Sequence, residues 1–135
     1  MRVRAMKKLI YLLMLLIVVC SVSAASLNNR DLFVNAIMIG DYGVTSVYDD
    51  VIPVRVSITN NHDSKIMEDL RIKIEIPELD KVYYTHSFDV RPDTRDTRWL
   101  FIDLPYYANS GDYLIKITVS NDKIKRIKYR YLWII

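Results

Sequence analysis

The sequence predicts an all-β chain, an antiparallel β-sandwich of about seven strands behind an N-terminal hydrophobic signal helix. Three observations carry this expectation. From Asn29 onward apolar residues recur with period two, the strand repeat. Clusters of Gly, Pro, Asn and Asp punctuate the alternating runs at intervals of roughly 10 to 16 residues. After the leader, no long stretch shows the helical repeat of about 3.6 residues.

The leader comes first. Met1 to Lys8 carries Arg2, Arg4, Lys7 and Lys8, and Leu9 to Cys20 is an uninterrupted apolar run. The small residues Ser21 to Ala25 follow, with Val22 and Ala24 placed for cleavage after Ala24, and Ser23 and Ala25 for cleavage one residue later. The competing reading is an uncleaved anchor: Leu9 to Ala25 would span roughly 25 Å as a helix, at the short end for a membrane span. Either way the expected division is residues 1–25 as signal peptide or signal anchor and 26–135 as one sandwich domain. The expected location is extracellular or at the cell surface, with any membrane attachment through residues 9–25. Cys20 follows Ile17, Val18 and Val19, which lack the small residue and the Leu of a lipoprotein box. It is the chain's single cysteine, so a processed chain has no disulfide and must rest on its apolar core.

Charge narrows the function classes. Of 19 Lys and Arg, four lie in the leader, which leaves 15 basic against 16 acidic residues in the remainder. A globally basic nucleic-acid binder is therefore not expected, and with 51% hydrophobic residues neither is disorder.

The strands follow in order. Leu32 to Ile39 puts Leu32 and Val34 on one side and Phe33 on the other, and Gly40, Asp41 and Gly43 end it. Val51 to Asn60 turns Val54, Val56 and Ile58 inward and Arg55, Ser57 and Thr59 outward, with Pro53 near its start, where a missing donor is tolerated. Asn60 to Ser64 is a polar turn. Leu70 to Ile76 alternates without a break and Pro77 stops it. Lys81 to Val90, rich in Tyr, Val, Thr and Phe, is the next strand, then Arg98 to Leu104, stopped by Pro105. Asp112 to Ser120 has Tyr113, Ile115, Ile117 and Val119 on one face. After Asn121-Asp122, Lys123 to Ile135 is expected to bury Ile127, Tyr129, Tyr131 and Trp133, with Lys128 and Arg130 on its wet face.

Two stretches, Val54-Arg55-Val56-Ser57-Ile58-Thr59-Asn60-Asn61 and Leu70-Arg71-Ile72-Lys73-Ile74-Glu75-Ile76-Pro77, resemble the opening of CARDB-like immunoglobulin-type modules of prokaryotic cell-surface proteins. Tyr106 to Tyr113, with Asn109-Ser110-Gly111-Asp112-Tyr113, resembles the Pro-Gly-x-Tyr turn before the penultimate strand of such domains, although Ser110 stands where Pro is more usual. The similarity covers roughly residues 51–135. It implies an immunoglobulin-like sandwich and a surface location, and it carries no catalytic residues. Independently of the family, Gly111 permits a tight turn, and the Tyr113 hydroxyl can reach backbone at the sheet corner.

No assembled chemistry is legible. His62 sits in a polar turn and His86 in a strand beside Tyr84 and Phe88, and neither has metal-ligand spacing. A nucleophile motif and a phosphate-cradling loop are absent, with glycine only at 40, 43 and 111. Asp49-Asp50, Asp93 and Asp96 raise calcium, but Arg91, Arg95 and Arg98 interleave with the last two, so a solvated, salt-bridged turn outweighs a cation site. No catalytic, metal or cofactor residues are therefore assigned, no cofactor is expected, and the chain is read as a non-enzyme. The run Lys123 to Arg130 is read first as the wet face of a terminal strand and second as a site for anionic polymers or lipid headgroups. Exposed rings are the remaining candidates. Tyr84, Trp99, Tyr106 and Tyr107 form the candidate contact patch, for sugar stacking or protein contact, although burial of these rings under a long loop is the favoured outcome. The expected function is that of an exported module acting by contact with an unidentified protein or glycan of the cell envelope. The alternatives are a carbohydrate-binding module and an assembly or chaperone subunit that captures strands at an open sheet edge.

Overall fold

The alternating runs become strands in a computed structural model that describes residues 2–19, 26–38 and 51–134. Helix α1 spans Arg2–Val19, and its large apolar side chains from Val3 to Leu13 are exposed. Among the described residues no helix is long and apolar enough to cross a membrane. Cys20, the expected cleavage sites at Ala24 and Ala25, Gly40, Gly43 and Asp49-Asp50 lie outside the described residues.

The described strands are β1 (Leu32–Met38), β2 (Val51–Asn60), β3 (Met67–Ile76), β4 (Lys81–Tyr84), β5 (Phe88–Val90), β6 (Thr94–Asp103), β7 (Gly111–Ser120) and β8 (Lys125–Ile134). They form two sheets of antiparallel pairs, one ordered β1-β2-β6 and the other β4-β3-β7-β8, with β5 also beside β3. The all-β sandwich is thus the architecture. Between the sheets, Val54, Val56 and Ile58 of β2 and Ile72, Ile74 and Ile76 of β3 are fully buried. Each such side chain contributes about 1.5–3 kcal/mol by leaving water.

Two of the differences from the expected boundaries bear on candidate residues. The run Lys81 to Val90 is two strands on the same edge of β3, with a break at Thr85–Ser87. The Thr85 hydroxyl accepts from the Ile72 amide and the Thr85 amide donates to the Ile72 carbonyl, both at 3.0 Å, so a side chain replaces one rung of the ladder. A bulge in β3 accompanies this, with Asp69 at φ +54°. His86 falls in the break and is exposed, rather than sharing a strand face with Tyr84 and Phe88. The second difference is β6, which begins at Thr94, so Asp96 and Arg98 pair within a strand (2.8 Å) and not in a turn.

Turns are fastened by side chains that the alternation pattern does not single out. Asn60 is fully buried; its amide donates to the carbonyls of Lys65 (2.8 Å) and Val90 (3.0 Å), and its oxygen accepts from the His62 amide. His62 Nδ1 in turn accepts from the amides of Ser64 and Lys65, which gives this histidine a turn-holding role. The corner before β7 is as expected: the Tyr113 hydroxyl donates to the Asn109 carbonyl at 2.6 Å, and Gly111 has φ +143°. A Cβ on Gly111 would meet nothing within 4 Å, so backbone conformation rather than space requires the glycine.

Strand β8 has the opposite phase to the one expected. Leu132 and Ile134 are buried, whereas Tyr129, Tyr131 and Trp133 face outward. Its inner face is completed by Arg126, Lys128 and Arg130, opposite Val119, Ile117 and Ile115 of β7. The reason is the strand's position. An edge strand's inner face opens on the rim between the sheets, where a long cationic side chain can lay its stem on apolar neighbours and deliver its head elsewhere. Arg126 Nε donates to the Leu32 carbonyl and Arg130 Nε to the Ala36 carbonyl, both at 2.9 Å, which caps two carbonyls on the open edge of β1.

Candidate functional site

The structure divides the candidate patch. Tyr84 stands exposed on the outer face of the five-stranded sheet, with the Lys73 ammonium 5.8 Å from its ring centre. Trp99 stands on the outer face of β6. Both line a cleft of about 470 Å³ where the β4–β5 edge meets the β6 edge, with Phe88 and Phe101 among its other walls. Arg98 stacks over Phe88 there, 4.4 Å from the ring centre. Tyr106 and Tyr107 do not line this cleft. They sit in the β6–β7 loop as an edge-to-face pair with ring centres 5.6 Å apart, and the Tyr107 hydroxyl is 3.5 Å from the Leu79 carbonyl it donates to. They are 79% and 53% exposed, which corrects the expectation of burial under a loop.

A different set of rings forms a row. Tyr129, Tyr131 and Trp133 are 53%, 74% and 51% exposed and share the outer face of β8. At about 3.4 Å per residue, three rings at alternate positions extend over about 14 Å. Lys116, Leu114 and Asp112 of β7 stand opposite them in register, so an ammonium and a carboxylate flank the two ends. Such a surface offers ring faces for stacking and charged heads for hydrogen bonds to hydroxyl groups. The alternation count misses it because four large residues, Ile127, Tyr129, Tyr131 and Trp133, outnumber the two that are buried. The usable signal was chemical: Leu132 and Ile134 are purely aliphatic, whereas Tyr and Trp tolerate one wet side.

The centre of this sheet face is charged. Lys73 and Glu75 pair at 2.5 Å, and Lys116 lies 3.8 Å from the other Glu75 oxygen. The hydrogen bond to Lys73 holds the Glu75 carboxyl below its ordinary range and in return raises the Lys73 ammonium. Tyr83, whose hydroxyl donates to the Asp103 carbonyl at 2.7 Å, is raised by partial burial and then by the Asp103 charge.

Backbone parity defines the open edge of β6. In an antiparallel strand the N–H and C=O of one residue point to the same side, and successive residues alternate. The Leu32 and Ala36 carbonyls turn to β8's arginines, so Phe33 and Asn35 face β2, and Val54, Val56 and Ile58 face β6. Thr97, Trp99 and Phe101 therefore direct their backbone groups to the open side. The bond from Tyr83 to the Asp103 carbonyl agrees with this parity. Asp96 Oδ1 covers the Thr97 amide at 2.8 Å, and the groups of Trp99 and Phe101 face the cleft. Among the described residues no group of three or more His, Cys, Asp or Glu side chains is placed to hold a metal ion.

No family model and no curated protein matches the chain. Among solved structures it is similar to Spo0M, a sporulation control protein from Bacillus subtilis, with a TM-score of 0.56 at 8% identity. The alignment covers 77% of this chain and 49% of that one, so the chain spans about half the length of that protein. At this identity the likeness is one of fold.

Proposed function

We propose that the chain is an exported, non-catalytic module of the cell envelope that works by contact, holding an extended polysaccharide across the outer face of β8. The observation that carries this is the row Tyr129–Tyr131–Trp133, three half-exposed or more exposed rings in line on one strand. The rings present a sugar-stacking row of the kind a carbohydrate-binding module needs, although the residues differ from the four first singled out. The basic, apolar and small-residue order of the leader supports export. The Tyr113 corner and the resemblance to CARDB-like modules support an immunoglobulin-type sandwich at the surface. The test is retention of the full chain on insoluble polysaccharides and retardation in gels cast with soluble ones. Tyr131→Ala is expected to weaken retention about tenfold or less, as befits one stacking ring. Retention unchanged in a Tyr129→Ala, Tyr131→Ala double variant, or no retention on any polymer, refutes the reading.

A second reading has its own observation. The backbone groups of Trp99 and Phe101 face an aromatic-lined cleft, the arrangement that accepts an added strand from a protein partner. A partner strand would protect those two amides from exchange while leaving the β8 rings accessible.

A further inference from the structure

The opposite face of the sandwich carries a groove that the reading above does not use. Its lining residues come from all three strands of the smaller sheet, and register arranges them in three rows. Phe33, Thr59 and Arg95 lie side by side across β1, β2 and β6. Asn35, Ser57 and Thr97 form the next row, two residues along. Arg55 and Trp99 form the third. The middle row is short and polar, with Ser57 Oγ and Thr97 Oγ1 3.4 Å apart, so it is the floor. The outer rows are walls, and each wall combines one ring with one guanidinium. The walls are four residues apart, about 14 Å between backbones, and β1 lies about 10 Å from β6. The groove encloses about 410 Å³, within the range of small-ligand sites.

Its chemistry is one-sided. Among the described residues, Arg55 and Arg95 line it and no Asp or Glu does. Arg95 Nε has only a long bond, 3.4 Å, to the Thr59 hydroxyl. Arg55 Nε is buried and has no hydrogen-bond partner among the described residues. The Arg55 stem is thus packed into its wall, and a carboxylate bound in the groove would meet the guanidinium heads of the two walls with charge-assisted bonds. Rings on the walls suit the faces of pyranose units, and the hydroxyls and amide of the floor suit their edges.

We infer that this groove binds an acidic saccharide, a short run of uronic-acid units whose carboxylates meet Arg55 and Arg95 while a sugar ring stacks on Trp99. The site is separate from the β8 row and does not depend on it.

Calorimetry on the full chain tests this with trigalacturonate, neutral maltotriose and inorganic phosphate at one ionic strength. Trigalacturonate is expected to bind, maltotriose to bind at least about tenfold more weakly, and phosphate not to displace the trisaccharide. Arg55→Gln should lose about ten- to hundredfold in affinity, the range for a charge-assisted hydrogen bond. Arg95→Gln, whose side chain is exposed, should lose severalfold and carries the test if Arg55→Gln does not fold. Tyr131→Ala should leave this affinity unchanged while it weakens retention on the polysaccharides that test the β8 row. Equal affinity for the neutral trisaccharide, displacement by phosphate alone, loss of binding in Tyr131→Ala with none in the arginine variants, or no heat of binding with trigalacturonate overturns the inference.

Discussion

Replacing Leu132 and Tyr131 by alanine, one at a time, separates the observed phase of β8 from the one its composition suggests. Leu132 is 3% exposed and pairs with Tyr113, whose ring closes the sheet corner. Leu→Ala removes three carbon groups at about 0.8 kcal/mol each, and the remaining cavity adds to this. The total is about 2.5–3.5 kcal/mol, low within the usual range because an edge strand can settle inward. For a domain of this size that lowers Tm by about 10–20 °C. Tyr131 is 74% exposed, and its loss should cost under about 0.5 kcal/mol. Urea melts followed by far-UV circular dichroism report both, and midpoints should move while slopes stay constant. If Tyr131→Ala proves the more destabilising, β8 has the other phase. The row of rings would then be core, and the proposed polysaccharide surface would not exist.

Ile72→Ala and Ile74→Ala should each cost about 2–5 kcal/mol, whereas Lys73→Ala, on the opposite face of β3, should leave the urea midpoint near that of the parent; equal losses at Ile72 and Lys73 would mean a wrong register. Because the Glu75 carboxyl is lowered by Lys73, its contribution to stability is complete above its ordinary value of 4.5 and is lost as pH falls through the lower folded value. Glu75→Gln should therefore remove part of the acid sensitivity that sets in as pH falls below the ordinary value of 4.5, and midpoint curves that stay parallel to the parent's would contradict this. Arg130→Met keeps the stem and deletes the donor to Ala36, so amide exchange at Phe33 and Asn35 should accelerate while β3 and β7 keep their protection; a uniform acceleration would show that the arginine acts on the whole fold instead.

Strand phase was legible wherever aliphatic residues alternate with charged ones, as in Val54-Arg55-Val56 and Ile72-Lys73-Ile74, because only one phase avoids burying charge. It was misread in β8 because both phases contain residues that tolerate either environment. An arginine can lie inward if a carbonyl waits at the rim, and a tyrosine can lie outward. Knowing that Leu32 and Ala36 present those carbonyls requires the pairing of β1 with β2, which is a non-local fact. The same holds for the groove. Arg55, Ser57 and Thr59 were correctly read as outward-facing, but their convergence with Phe33, Asn35, Thr97 and Trp99 exists only once three distant segments are set in register. Trp99 alone among the rings first singled out lies in that groove, and Tyr84 joins it only at the edge cleft. The Asn60 side chain shows a third kind of limit: a turn residue by composition, it is a buried tie between segments up to 30 residues apart.

The two arginine bonds between β8 and β1 also bear on how the domain would respond to tension. Arg126 reaches Leu32 and Arg130 reaches Ala36, so both strands advance in the same direction along the seam. The Lys125 amide on Asn29 Oδ1 and Arg130 Nη2 on Asn35 Oδ1 extend it on the same side. Stretching the chain from before β1 and after β8 would slide the two strands lengthwise past each other. The clasps would then be loaded together in shear rather than unzipped one after another. The seam would therefore resist extension along this line as a shear contact, its bonds sharing the load.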